Sequence, residues 1–170
     1  MLATTFTKGL IGGAFGTAAM TISENLEQRV TGRADSYVPA RTAGRLLRLR
    51  KPETEDFGRN LAMHWGTGIV GGAARALLSE RGFRGLSASA THLAVRVTTD
   101  QMLENVEGVS SPPWTWPKFE VTIDLFHKAV YSLVTGAMTD ALFAPDKEGE
   151  ASEPTQEVSC RIPTFPTQTP

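Results

Sequence analysis

Small residues spaced four apart recur inside four apolar stretches of this chain, and this spacing limits the available folds more than any other feature. Glycine costs about 1 kcal/mol in an exposed helix, so repeated glycine inside helices is better explained by close contact between helices, as in lipid. Val and Ile are scattered, and no alternating run predicts a strand. We therefore predict an all-α fold. The spaced pairs include Gly9/Gly13, Gly12/Gly16, Gly68/Gly72, Ala90/Ala94 and Ser132/Gly136.

The four stretches predict a four-helix bundle, with helices at about 7–30, 60–81, 86–106 and 119–143. We expect one domain, residues 1–143, followed by a disordered acidic tail rich in Pro and Thr, residues 144–170. The single cysteine, Cys160, cannot build a disulfide framework or a thiolate metal site. No small-residue cleavage site cleanly closes the apolar run at 9–23, so a cleaved signal peptide is not favoured.

Hydropathy leaves a membrane bundle and a soluble bundle open, and we favour the membrane. The uncharged runs 9–23 and 60–74 have 15 residues each, short of the roughly 20 that a simple span needs. Arg96 and Asp100 would each cost about 2.5 to 3.5 kcal/mol at mid-bilayer, so the third segment could cross only with its polar face turned inward. We expect a multi-pass protein that contacts lipid, with its Arg-rich first loop facing the cytoplasm and both termini opposite.

Two loops carry patterns with two interpretations each. In the first loop, Arg41, Arg45 and Arg48 recur at helical spacing beside leucines, which suits either an anionic lipid surface or a solvated helix. Between the third and fourth segments, Trp114 and Trp116 stand in a Pro-rich loop. They could be interfacial aromatic residues or a rigid cover over a pocket.

The sequence Gly66-Thr-Gly68-Ile-Val-Gly71 matches the dinucleotide-binding fingerprint. In that motif the glycines form a turn between a strand and a helix. Residues 60–65 do not resemble a strand, and no strand ending in an acidic residue follows. We therefore interpret these glycines as helix-packing residues. The net charge of -1 gives no reason to expect nucleic acid as a partner.

Ionisable side chains fall on one stripe of each predicted helix. Asp124 and His127 are three residues apart, and Tyr131 continues their face. The other three segments carry similar stripes, which would meet in a small cavity lined by carboxylates and imidazoles. A carboxyl group in an apolar setting keeps its proton while a hydrogen-bonded one stays ionised, so a pair can divide the acid and base roles.

The predicted chemistry needs no cofactor and no metal. The one Asp-x-x-His pair resembles half of the Glu-x-x-His arrangement in di-metal bundles, but the remaining ligands lack a diagnostic spacing. The expected roles are an activating pair in Asp124 and His127, a second carboxyl group in Glu24 or Asp100, orienting or proton-donating groups in His64 and His92, and a hydrogen-bond donor in Tyr131.

Three stretches resemble the small four-span membrane proteins of the YagU type and their actinobacterial relatives. These are the run from Gly9 to Met20, Met63-His64-Trp65-Gly66, and the run from His127 to Gly136. The resemblance covers about 9–143 and implies a membrane bundle more than an activity. In size and layout the chain also resembles the small epoxide-opening hydrolases of fungal polyketide pathways of the aurovertin and citreoviridin kind. No motif can be matched residue by residue with those enzymes.

Together these patterns predict a small membrane-embedded enzyme that performs cofactor-free acid/base chemistry on a lipophilic small molecule. The resemblance to the epoxide-opening hydrolases implies the specific expectation, which is epoxide hydrolysis or ring opening in secondary-metabolite biosynthesis. The alternative is a non-catalytic structural or transport protein of the membrane, whose polar interior serves assembly or ion passage. Both interpretations are compatible with a homo-oligomer.

Overall fold

The computed structural model describes residues 2–144, which form five α-helices and one turn of 3₁₀ helix at Pro113–Thr115. No strand occurs within this range, so the predicted all-α bundle is confirmed. All but the first residue of the expected disordered tail, with Cys160, lies outside the described residues. The helices are α1 (Leu2–Thr31), α2 (Val38–Leu46), α3 (Phe57–Glu80), α4 (Gly85–Val106) and α5 (Lys118–Leu142).

The four long helices run alternately up and down. A side chain at Gly9 would meet Gly72, and one at Gly13 would meet Gly68, so α1 and α3 are antiparallel and almost in backbone contact. On its other face α1 packs antiparallel to α5, where Gly12 lies against Thr139. α4 packs mainly on α5 and touches α3 less extensively. α1 therefore uses two glycine faces to pack against two helices at once.

The dinucleotide-like motif lies entirely within α3, with no strand-to-helix turn. A side chain at Gly68 would meet Thr17, and one at Gly71 would meet the Tyr131 hydroxyl group. Both positions pack against neighbouring helices, as the sequence indicates. Gly66 differs, because nothing lies near its missing side chain.

The bundle has a fifth helix that the four-segment prediction left in a loop. α2 contains Arg41 and Arg45, as their spacing indicates, but Arg48 lies beyond it with a positive φ of 51°. α2 is fixed to α3 by Asn60, whose side chain accepts from the Ala40 amide at 3.0 Å and donates to the Ser36 carbonyl at 3.1 Å. α3 itself begins at the Asp56 cap, which accepts from the Arg59 amide at 2.6 Å.

Many polar side chains of this bundle are buried, and many large apolar side chains are exposed. Within the described residues, the buried apolar side chains are Met20, Tyr131 and alanines. The buried polar side chains include Arg75, His92, Arg96, His127 and Lys128. Large apolar residues instead cover the outside of the helices. Soluble bundles bury such residues in the core. Between residues 2 and 144 no helix is long and apolar enough to cross a membrane.

A buried polar network joins α3, α4 and α5 at one end of the bundle. Arg75 is fully buried and donates to Asp140 at 2.7 Å. Asp140 also accepts from the Ser79 hydroxyl group and from the Gly85 amide at the start of α4. The charge of Arg75 is paired and hydrogen-bonded, which offsets the free-energy cost of burying it. This network fixes the end of the bundle opposite the cavity described next.

Candidate active site

A cavity of about 580 Å³ opens at the end of the bundle where α1 ends and α5 begins. All four long helices contribute to its wall, and α2 with the segment before it covers one side. Trp116 also lines it, while Trp114 is 84% exposed. The position of Trp116 in the cavity wall is compatible with the second interpretation of this loop, a cover over a pocket. The apolar part of the wall includes Met20, Leu61, Met63, Leu103 and Ile123.

Opposite charges alternate across the cavity between α4 and α5. Arg96 lies 3.0 Å from Asp100, and Asp100 lies 3.6 Å from the ammonium group of Lys128. Lys128 lies 2.8 Å from Asp124, one turn earlier on α5. Burial lowers the pKa of Lys128, but Asp124 and Asp100 outweigh this and leave the pKa raised. Lys128 is therefore a stable cation held between two carboxylates.

Two other carboxyl groups of the cavity favour the protonated form. Burial raises the pKa of Glu24 to about 7, with Arg33 acting against the shift and Asp124 adding to it. Burial also raises the pKa of Glu104 to about 7, and Asp100 and Asp124 add to this effect against Lys128. The cavity thus holds two carboxyl groups with raised pKa values beside two aspartates that form ion pairs with Lys128. Carboxyl groups in such different environments suit acid/base chemistry.

His64 lies beside Glu24 as a neutral imidazole. Its Nε2 atom is 3.2 Å from the Thr21 hydroxyl oxygen and 3.9 Å from a Glu24 carboxyl oxygen. Burial, with a smaller contribution from Arg96, lowers the pKa of His64 to about 4. Because the two pKa values are about 4 and about 7, both groups are uncharged between those pH values. The contact is a neutral polar pair and not an ion pair.

His127 contacts α1 and not its predicted partner. Its Nδ1 atom is 2.7 Å from the Ser23 hydroxyl oxygen, and its Nε2 atom is 3.6 Å from Glu27. Asp124, expected to pair with His127, accepts from Lys128 instead. Residues three apart on a helix share a face, but the neighbouring helix decides what each one contacts.

The structure brings five of the seven predicted site residues to one cavity and leaves two outside its wall. His92 is buried among α3, α4 and α5, with Nε2 3.2 Å from the Gly71 carbonyl oxygen. Tyr131 donates to the Gly68 carbonyl oxygen at 2.6 Å and stacks under Arg96. Both side chains join helices in the core. The five that line the cavity are Glu24, His64, Asp100, Asp124 and His127.

Sequence reasoning missed Glu104 and Lys128 as members of the cavity. A signal for both was present, because Glu104 is one turn after Asp100 and Lys128 one turn after Asp124. Ser23 and Glu27 carried no such signal. Their contact with His127 joins residues 104 and 100 positions apart in the chain, and only the packing of α1 on α5 creates it.

Within the described residues no group of three or more His, Cys, Asp or Glu side chains is arranged to hold a metal ion. Comparisons of the chain with protein-family models, curated proteins and solved structures give no match. The resemblances to membrane proteins and to epoxide-opening hydrolases therefore stay predictions.

Proposed function

We propose that this protein is a small cofactor-free enzyme that opens epoxides of lipophilic substrates, by hydration or by attack of an internal hydroxyl group. The observation that carries the proposal is that two partly buried carboxyl groups, Glu24 and Glu104, whose pKa values burial raises to about 7, share one cavity with the ion-paired carboxylates Asp100 and Asp124. Epoxide opening needs an acid at the departing oxygen and a base at the attacking one, both available at the same pH.

The reaction proceeds in one concerted opening. Glu104 or Glu24 donates its proton to the oxirane oxygen as the carbon–oxygen bond breaks. A water molecule or a substrate hydroxyl group attacks that carbon, and Asp124 accepts the proton that the attacking oxygen loses. Lys128 keeps Asp124 in place at 2.8 Å. Solvent then returns the proton from Asp124 to the glutamic acid, so that no cofactor is consumed.

The cavity wall supports a partly apolar substrate. Met20, Leu61 and Leu103 supply apolar surface beside the charged groups, and Trp116 closes one side. A pocket with a few convergent polar groups in apolar surroundings is typical of small-molecule sites. At about 580 Å³ the cavity can take a substrate larger than a simple epoxide.

The test is turnover of a panel of lipophilic epoxides by Glu104→Gln and Asp124→Asn. Both substitutions keep the shape of the side chain and remove its proton transfer, which is typically worth about 10² to 10⁴ in rate. Glu107→Gln is the matched control, because Glu107 follows Glu104 by one turn and does not line the cavity. Full activity in both cavity variants, with folding verified by circular dichroism, would contradict the proposal. Absence of turnover in the wild type would favour the non-catalytic alternative.

The proposal includes a place for the bundle in a membrane, which the large apolar side chains on its outside support. Phe6, Leu10 and Phe15 on α1 are the kind of residue that contacts lipid. We place the cavity end, with its α2 cover and charged wall, at the membrane surface and the glycine-packed remainder in lipid. A lipophilic substrate would then reach the cavity from the surface.

A further inference from the structure

We propose that Ser23, His127 and Glu27 form a second catalytic site, a nucleophile–base–acid triad that cleaves or transfers acyl groups from esters of apolar acids. The site lies where α1 packs on α5. Neither Ser23 nor Glu27 lines the cavity, and neither takes part in the epoxide-opening reaction above. The inference therefore goes beyond the proposed function and does not depend on it.

The geometry is that of an activated serine. The Ser23 hydroxyl oxygen is 2.7 Å from His127 Nδ1, and His127 Nε2 is 3.6 Å from a Glu27 carboxylate oxygen. A hydroxyl group, an imidazole and a carboxylate occur here in the order of a serine hydrolase triad, with the ring nitrogens exchanged, so that Nδ1 faces the serine and Nε2 the carboxylate. At 3.6 Å the Glu27 carboxylate acts on Nε2 through its charge and not through a hydrogen bond.

The third member is fixed in place and ionised. Arg33 contacts Glu27 at 2.8 Å, and Thr31 donates to its other oxygen at 2.6 Å. The hydrogen bond from Arg33, followed by that from Thr31, lowers the pKa of Glu27 to about 2. A permanent negative charge near Nε2 favours the tautomer with its proton on that atom. Nδ1 is then free to accept the proton of Ser23.

His127 meets the requirement for a general base. Its side chain is 4% exposed, and burial lowers its pKa below the usual value, although Glu27 opposes the shift. The imidazole is therefore neutral near pH 7. In the resting state the Ser23 hydroxyl group can also donate to the Met20 carbonyl oxygen at 2.9 Å. A rotation of this hydroxyl bond towards Nδ1 is sufficient for activation.

The surroundings of Ser23 specify the substrate class. Ile22 precedes it and is 61% exposed, and Leu26, one turn later, is 55% exposed. On α5 the Phe126 ring contacts His127 edge-on and is 55% exposed. These side chains offer an apolar surface beside a half-buried hydroxyl group. An ester with an apolar acyl chain fits this surface better than a charged one.

The reaction balances without a cofactor. Ser23 Oγ attacks the ester carbonyl carbon while His127 Nδ1 takes its proton. The tetrahedral intermediate collapses, the ester carbon–oxygen bond breaks, and the leaving alkoxide takes that proton from Nδ1. Water, deprotonated by Nδ1, then attacks the acyl-serine. The acid is released and the proton returns to Ser23.

The experiment treats the purified full-length protein with an alkyl fluorophosphonate and locates the adduct by mass spectrometry. We expect one phosphonyl group per chain, on Ser23. Ser23→Ala should remove the adduct, and His127→Gln should slow labelling about 100-fold or more. Ser87→Ala, at an exposed serine of α4, is the matched control and should leave labelling unchanged.

A second measurement compares the turnover of two esters. The value of kcat/KM for p-nitrophenyl octanoate should exceed that for p-nitrophenyl acetate by roughly tenfold or more, because each buried methylene strengthens binding.

Glu27 is a positioning residue, and its test is rescue by a conservative change. Glu27→Gln should slow labelling, whereas Glu27→Asp should retain much of the wild-type rate. Labelling of another residue, equal labelling of Ser23→Ala, or no labelling of folded protein would overturn the proposal. The two sites are distinguishable, since Glu104→Gln should lose epoxide opening and keep the adduct, and Ser23→Ala should do the reverse.

Discussion

A single carboxyl group, that of Glu104, illustrates how burial decides chemistry at the scale of one residue. Near the end of α4 it faces the cavity together with Asp100, Asp124 and Lys128. Burial raises its pKa from 4.5 to about 7 because the charged form loses its hydration, and the two aspartates add to the shift against the lysine. A group that keeps its proton near neutral pH is both a candidate acid and a source of pH-dependent stability.

The first prediction concerns that stability. The folded protein keeps a proton on Glu104 that the unfolded chain releases above pH 4.5, so the free energy of unfolding falls as pH rises from 4.5 through about 7. The glutamine side chain in Glu104→Gln resembles the protonated glutamic acid and does not titrate. The variant should therefore not show this fall in the free energy of unfolding. A rise in pKa from 4.5 to about 7 would be worth about 3 kcal/mol without solvent screening, and screening reduces this because Glu104 is partly exposed. We therefore expect the variant to match the wild type near pH 4 and to exceed it by about 1 to 2 kcal/mol at pH 8, measured by urea unfolding at each pH.

The histidines also titrate in this range, but they do so in both proteins, so the difference between variant and wild type isolates Glu104. Glu107→Gln should show no gain that grows with pH. A difference between Glu104→Gln and the wild type that is the same at pH 4 and pH 8 would show that folding does not raise the pKa of Glu104.

Sequence reasoning located the cavity through helical periodicity but could not assign its contacts. The one-turn spacing of Arg96 and Asp100 indicated a polar face of α4 correctly. Asp124 and His127 contact different residues, Lys128 and Ser23, because a spacing of three places them on the same face without fixing which neighbour either one contacts. Ser23 became visible only when α1 and α5 were packed together.

At the scale of elements, glycine determines how closely α1 and α3 approach. A side chain at Gly72 would collide with the backbone of Gly9 and Gly13, which cannot rotate away. Gly66 is six residues earlier on the same helix and has open space where its side chain would be. The sequence could indicate glycine packing in general. It could not show that Gly72 is packed and Gly66 is not, because this difference depends on which face of α3 contacts α1.

The second prediction uses this pair of glycines. Gly72→Ala should lower the free energy of unfolding by about 1 to 3 kcal/mol, because an added methyl group forces the helices apart. Gly66→Ala should raise it by up to about 1 kcal/mol, because alanine favours the helix and meets nothing. Thermal unfolding of both variants under identical conditions measures the contrast. Equal effects of the two substitutions would mean that α1 and α3 do not meet at Gly72.

At the scale of the whole molecule, many large apolar side chains between residues 2 and 144 are exposed, while many polar and charged ones are buried. This arrangement explains why the helical fold was easier to predict than the solvent around the helices. The periodicity of the sequence indicates that the two faces of a helix differ, and the small residues indicate which face contacts another helix. Whether the opposite face meets lipid or water depends on the surface of the assembled bundle. A sequence of intermediate hydropathy does not decide between the two.

The last prediction follows from that surface. Phe15 is 52% exposed at the middle of α1, in the part of the bundle that we place in lipid. Phe15→Lys would set a charge there at a cost of about 2.5 to 3.5 kcal/mol, so less folded protein should be recovered in the membrane fraction after carbonate washing. Val106→Lys is the matched control, because Val106 is also an exposed apolar residue but ends α4 at the cavity end, where water can reach the charge. If both variants and the wild type stay in the supernatant without detergent, the apolar surface is covered by something other than lipid, and the membrane part of the proposed function fails while its cavity chemistry is unaffected.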